Sequence, residues 1–234
     1  LAMRSMVAST ALLSCRHSGC CITRFASACR SLLISSEIQT QVAAGRWAVV
    51  GGWWIEPDCN LPAGESFVRQ GLYGQRYFRE RFGRFCSVGC CVDSFGHAGS
   101  LPKILQGCRL GAYVFMRPQE HENPAMPRLA FRWQGDDGTE VTALRIPQSY
   151  NAATPERLAD KIEHNVETAA GTPLRSHSFA FYGVGNHGGG PTQELLTRIV
   201  AWQQEPGRPQ LRFSGPEAVI RYATARRLPR WRGE

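Results

Sequence analysis

Apolar and polar positions alternate unevenly along the chain, and the pattern becomes legible from Ile38 onward. Trp47 to Trp54 is a short apolar run interrupted by Gly51 and Gly52, which predicts a buried strand. A loop punctuated by Pro57, Pro62 and Gly64 follows. Glu65 to Phe82 then reads as a helix: Val68, Leu72 and Phe82 fall on related faces, Tyr73 and Tyr77 adjoin them, and Gly83 supplies the stop. Cys86 to Val92 predicts a second buried strand, Ser100 to Gln106 a short helix, and Ala112 to Met116 a third strand with Arg117 at its end. Leu129 to Trp133 and Glu140 to Ile146 flank Gly135-Asp136-Asp137-Gly138, a hairpin signal because Asp-Gly suits tight turns.

The second half keeps the rhythm. Thr154-Pro155 opens a helix with a capping hydroxyl and a proline at the first helical position, and it runs to about Ala170 before Gly171. Ser178 to Val184 is a strand, Gly185 to Gly190 a glycine-rich loop, and Pro191 to Gln204 a helix. Gln210 to Phe213 and Pro216 to Ala225 form a last strand and helix. Strand following helix in this order predicts an α/β fold, a mostly parallel sheet with crossover helices. Residues 1 to 37, rich in Ser, Cys, Ala and Arg, show no sustained period of either kind and form an atypical N-terminal segment.

Composition narrows the function classes. The 43% hydrophobic content suits a globular protein, and no run is apolar enough to span a bilayer. The net charge of +8 comes almost entirely from arginine, since Lys103 and Lys161 are the only lysines. Basic residues do not interleave with aromatics as in a strand-binding groove, so neither nucleic acid nor a membrane is the expected partner. Nine cysteines, an odd number with no C-x-x-C pair, read as free thiols of a reducing cytoplasm.

In parallel α/β folds, chemistry gathers just past the carboxyl ends of strands. That rule selects Asp93, Arg117 and the loop at 185–190. Asp93 follows an apolar strand and precedes a glycine-containing turn, where a carboxylate serves as nucleophile, metal ligand or helix cap. His97 either shares a metal with it or only hydrogen-bonds a neighbour. Arg117 either pairs with a carboxylate or sits on the surface. The loop Gly185-Asn186-His187-Gly188-Gly189-Gly190 lacks the Lys-Ser/Thr of a P-loop, so close approach of backbone to a ligand is its general reading. Trp53, Trp54, Phe131 and Trp133 either line a sugar site or belong to the core.

Four blocks taken together resemble glycoside hydrolase family 38, the retaining, zinc-dependent α-mannosidases. They are Gly51-Gly52-Trp53-Trp54-Ile55-Glu56-Pro57-Asp58-Cys59-Asn60-Leu61-Pro62, then Gly64-Glu65-Ser66 through Tyr77-Phe78, then Val92-Asp93-Ser94-Phe95-Gly96-His97, and Tyr182 through Thr192. The resemblance covers 38–234, as a fragment of a catalytic domain, and implies an incomplete seven-stranded (β/α) barrel. It makes Asp93 both nucleophile and zinc ligand, Arg117 its cationic neighbour, and His187 the residue able to donate a proton where relatives carry an aspartate. It brings Trp53, Asp58 and Asn186 to the substrate, a glycan bearing terminal α-linked mannose. A homo-oligomer is what it suggests for a full-length protein. The His-x-Asp zinc pair of the family is missing from residues 1–37, where His17 has no aspartate two residues on. The expectation is therefore a nearly inactive fragment short of zinc ligands.

Overall fold

The computed structural model describes residues 11–16, 21–23, 32–185 and 190–233, with side chains from residue 36 onward. Its elements run β1 (Ala11–Arg16), β2 (Cys21–Thr23), α1 (Leu32–Ala43), α2 (Gly64–Phe82), β3 (Val88–Cys91), α3 (Leu101–Gly107), β4 (Ala112–Phe115), β5 (Ala130–Gln134) and β6 (Glu140–Arg145). They continue with α4 (Pro155–Ala170), β7 (His177–Tyr182), α5 (Gln193–Trp202), β8 (Gln210–Phe213), α6 (Pro216–Thr224) and β9 (Arg230–Arg232).

The strands divide between two sheets. One has the order β3-β4-β6-β5-β9, parallel at every pairing except the β5–β6 hairpin. In the other, β1 lies between β7 and β8, antiparallel to both, with β2 beside it. The sheets share a core. Val88, Ala112, Val114, Ala130 and Leu144 of the first sheet meet Phe179 and Phe181 of β7, with Val219 and Ala223 of α6. Alternate residues point outward, as the pleat requires. Tyr113, Phe115, Phe131 and Trp133 pack under α2 and α3, and Ala180 and Tyr182 under α4 and α5. This is α/β architecture with a mostly parallel mixed sheet. No strand pairing joins the two sheets among the described residues, so a continuous barrel wall is not formed here.

Other departures are local. Trp47 to Trp54 is no strand: Gly51 and Gly52 take φ of +106° and +71°, and only Gly51 bridges to Gly89. Two left-handed residues turn the chain away before a ladder can extend. β7 stops at Tyr182, where Gly183 at φ +128° turns to bridge Ala152. Helix α1 begins inside the segment that shows no period in the sequence, and β9 has no signal there either.

Helix α2 sits unusually close to the chain it covers. A Cβ on Gly74 would lie 2.5 Å from the Gly52 carbonyl oxygen, so only glycine permits this approach. The buried Gln75 amide accepts from Cys86 N–H at 2.8 Å and donates to the Cys86 and Cys108 carbonyls, tying α2 to the start of β3 and the end of α3.

Lys161 of α4 plays the same part for the second sheet. It is 3% exposed and donates to the carbonyls of Ser149, Asn151 and Phe181. Burial pushes its ammonium down to about 7. Between that value and the ordinary lysine range near 10.4, the unfolded chain binds the extra proton. Stability therefore rises with pH across this window, and the cost is fully present below pH 7. Lys161→Met is expected to remove this contribution, worth at most ~1.4 kcal/mol per pH unit. Urea titrations of both proteins from pH 7 to 10 check it. Parallel pH profiles would overturn the assignment.

Candidate active site

Because β3, β4 and β6 run parallel, their carboxyl ends share one edge of the sheet. Asp93 lies two residues past β3 and Arg117 two residues past β4, so the topology brings together residues far apart in sequence. The Arg117 Nε donates to Asp93 Oδ1 at 3.2 Å, and its Nη1 to Glu122 Oε1 at 3.0 Å. The same guanidinium lies over the Phe95 ring, 4.3 Å from the centroid. Glu122 also accepts the Gln119 N–H at 2.5 Å, and that bond, before the Arg117 charge, holds its carboxyl below the usual range. The Asp93 side chain is 48% exposed and that of Arg117 25%. A pair this wet contributes little stability, ~0–1 kcal/mol. What it supplies is orientation, with Arg117 holding the Oδ1 side of the carboxylate.

The turn carrying Asp93 is stapled to the Pro57–Leu61 turn. Cys59 N–H donates to Ser94 Oγ at 2.8 Å, Ser94 Oγ to the Gly96 carbonyl at 3.0 Å, and Ala98 N–H to the Cys59 carbonyl at 2.9 Å. Glu56 reaches the same place from outside, its Oε1 accepting Val92 N–H at 2.6 Å. Beneath lies a buried cluster of Cys59, Cys91, His97 and Tyr113. The Tyr113 hydroxyl stands 3.3 Å from Cys59 Sγ and 3.1 Å from His97 Nε2, and the Cys91 thiol donates to the Pro57 carbonyl. Hydrogen bonding by Cys91, then by His97 and Tyr113, pulls the Cys59 thiol down to about 5, while Cys91 moves upward.

The other predicted site residues divide. Trp53 is 2% exposed and packs on Phe67, so it offers no face to a sugar; this corrects the expectation drawn for it. Phe131 and Trp133 are core residues, and Trp54, half-buried, packs edge-on against Tyr73 and Tyr77. His97 is buried against Tyr113, Phe115 and Trp133 and hydrogen-bonds a hydroxyl. Asp58 is exposed, with Oδ1 accepting the Asn60 and Leu61 N–H groups, which lowers its carboxyl. Asn186 and His187 lie outside the described residues. Val184 N–H donates to the Gly190 carbonyl at 3.2 Å.

Three members of this group go unmarked by pattern: Glu56, Phe95 and Glu122. Phe95 is 76% exposed, a large ring standing beside the carboxylate. Glu122 sits in a loop with no periodicity and acquires meaning only from Arg117. Among the described residues, no helix is long and apolar enough to cross a membrane, and Cys59, Cys86, Cys90, Cys91 and Cys108 are free thiols.

A carboxylate oriented by a cation at the carboxyl edge of a parallel sheet stands where α/β folds place their chemistry. Residues 30–234 match the glycosyl hydrolases family 38 N-terminal domain, and the chain belongs to that family. It is 33% identical over 205 residues to "Alpha-mannosidase 2C1" of Homo sapiens, covering 85% of this chain and 19% of that protein. It is 32% identical over 202 residues to "Alpha-mannosidase G" of Dictyostelium discoideum, again 85% of this chain and 18% of the relative. The chain thus spans about a fifth of these relatives. Among solved structures, an α-mannosidase from Enterococcus faecalis V583 superimposes with a TM-score of 0.64 at 21% identity, over 86% of this chain and 24% of that one. That likeness supports the fold.

Proposed function

We propose that this chain is part of a retaining α-mannosidase catalytic domain in which Asp93 is the nucleophile toward terminal α-linked mannose. The observation that carries this is the Asp93–Arg117–Glu122 array: Arg117 engages Oδ1 alone and orients the carboxylate. Oδ2 then forms a bond to the anomeric carbon as the bond from that carbon to the leaving group breaks. Water later attacks the same carbon and releases the carboxylate, with net retention. Protonation of a sugar leaving group needs an acid. Asn186 cannot serve, and His187 is the residue proposed for it.

Zinc is the group the family resemblance implies, with Asp93 its ligand. Among the described residues, no group of three or more His, Cys, Asp or Glu side chains could hold a metal ion. The donors in view do not fit a zinc centre, and no step here is routed through one.

An activated, fluorinated mannosyl fluoride tests the nucleophile by itself, because fluoride departs without protonation. Asp93 is expected to form a stable ester with the sugar, located by mass spectrometry of the peptide that contains it. Turnover of unactivated mannosides is expected to be far slower, because their leaving group departs only when protonated. Binding of mannose with no ester at Asp93 would refute the nucleophile and leave a carbohydrate-binding remnant instead.

A further inference from the structure

Past Gly89, the outer edge of β3 has no strand beside it among the described residues, where the one bridge on that side joins Gly51 to Gly89. The N–H groups that follow would face the end of the sheet without acceptors. Glu56 fills this position from a turn 36 residues earlier in the chain. Its residue lies at the surface, yet its carboxyl is tucked under the strand end. There it accepts Val92 N–H at 2.6 Å. Burial pushes the Glu56 carboxyl up, while this bond works the other way.

From this arrangement we infer that Glu56 is a positioning residue, fixing the Cys91–Val92 peptide plane so that the Asp93 carboxylate meets Arg117 and the anomeric carbon. With Val92 N–H held from outside, the strand end that carries Asp93 has little freedom to swing from the sheet. The other tethers of this turn act after Asp93, at Ser94 and Ala98, or through the Cys91 side chain, so Glu56 is what holds the backbone just before Asp93. The inference rests on the reading of Asp93 as nucleophile. It makes Glu56 no catalytic residue, since its carboxyl faces backbone.

The test compares Glu56→Gln, Glu56→Asp and Glu56→Leu in the 234-residue chain. Two quantities are read: the rate of ester formation at Asp93 with saturating mannosyl fluoride, and the NMR signal and exchange of the Arg117 Nε–H and the Val92 and Asp93 amides. Aspartate is one methylene too short and leucine has no acceptor. Both are expected to slow esterification by roughly 10²-fold, the scale of a misplacement near 1 Å. Probe affinity should hold while the Arg117 and amide protons exchange faster. Glutamine, which can keep the Val92 bond, is expected to lose least. Wild-type rates and unchanged proton exchange in both Glu56→Asp and Glu56→Leu would overturn the proposal. If Glu56→Leu does not fold, Glu56→Asp carries the comparison. If the wild type forms no ester, the nucleophile reading fails, and proton exchange alone decides whether Glu56 holds the turn.

Discussion

Alanine in place of Asp93 is expected to remove the proposed covalent sugar adduct and to leave the fold intact. The loss should be at least ~10³-fold, limited by detection, because alanine has no atom with which to form the ester. The fold survives because the side chain is half exposed and its ion pair contributes only ~0–1 kcal/mol. Arg117→Met is expected to slow esterification by roughly 10- to 100-fold, the effect of losing an orienting cation rather than a reacting atom. Arg117→Lys should recover only part of this. A single ammonium cannot keep both the 3.2 Å bond to Asp93 and the 3.0 Å bond to Glu122. Mass spectrometry of the labelled peptides checks all three variants. An adduct that persists on Glu122 in the Asp93→Ala protein would move the nucleophile there.

The largest expected effect on stability belongs to Arg145, the last residue of β6, which is 2% exposed. Its guanidinium donates to the carbonyls of Pro118, Asn123 and Met126 at 2.9, 2.9 and 2.8 Å. These three carbonyls belong to the loop after β4, so one side chain organises the segment that presents Glu122 to Arg117. Burial lowers the Arg145 pKa, with Glu120 and Glu122 opposing the shift, and guanidinium remains charged throughout the accessible pH range. Arg145→Met keeps much of the length and leaves the carbonyls without donors, at ~1–3 kcal/mol each. Relief from burying a charge offsets part of that. The net loss should be about 3–5 kcal/mol, read as a fall of the urea midpoint by ~1–2 M at unchanged slope. A loss below ~1 kcal/mol would mean that water replaces the guanidinium.

Much of the fold could be read from the chain because its signals are local. The α4 start is one case: Thr154 Oγ1 accepts Arg157 N–H, as the Thr-Pro pair predicts. The hairpin at Asp137-Gly138 is another, with its strands in register from Ala130 opposite Leu144 to Gln134 opposite Glu140. Legibility failed where tertiary contact decides. The run from Trp47 is apolar enough for a strand, but Gly52 must let α2 approach its carbonyl, and that requirement appears only when Gly74 is set against it. The site shows the same divide. Asp93 and Arg117 stand at strand ends and are found by rule, whereas Trp53 fits a sugar platform in sequence and turns inward in space. Glu56 and Glu122 act across the fold, and no spacing along the chain foretells their partners.

The placement of β1 bears on how the molecule comes together. Residue 11 pairs with residue 182, and residue 13 with residue 213, so this strand joins two others from the second half of the chain. Contacts this distant in sequence demand closure of very long loops before any reward, which makes them late and slow to form. Until β1 arrives, β7 and β8 lack the strand that lies between them, and each presents an open edge to any other chain nearby. Dilute refolding and slow synthesis are therefore the conditions under which this sheet closes on itself instead of on a neighbour.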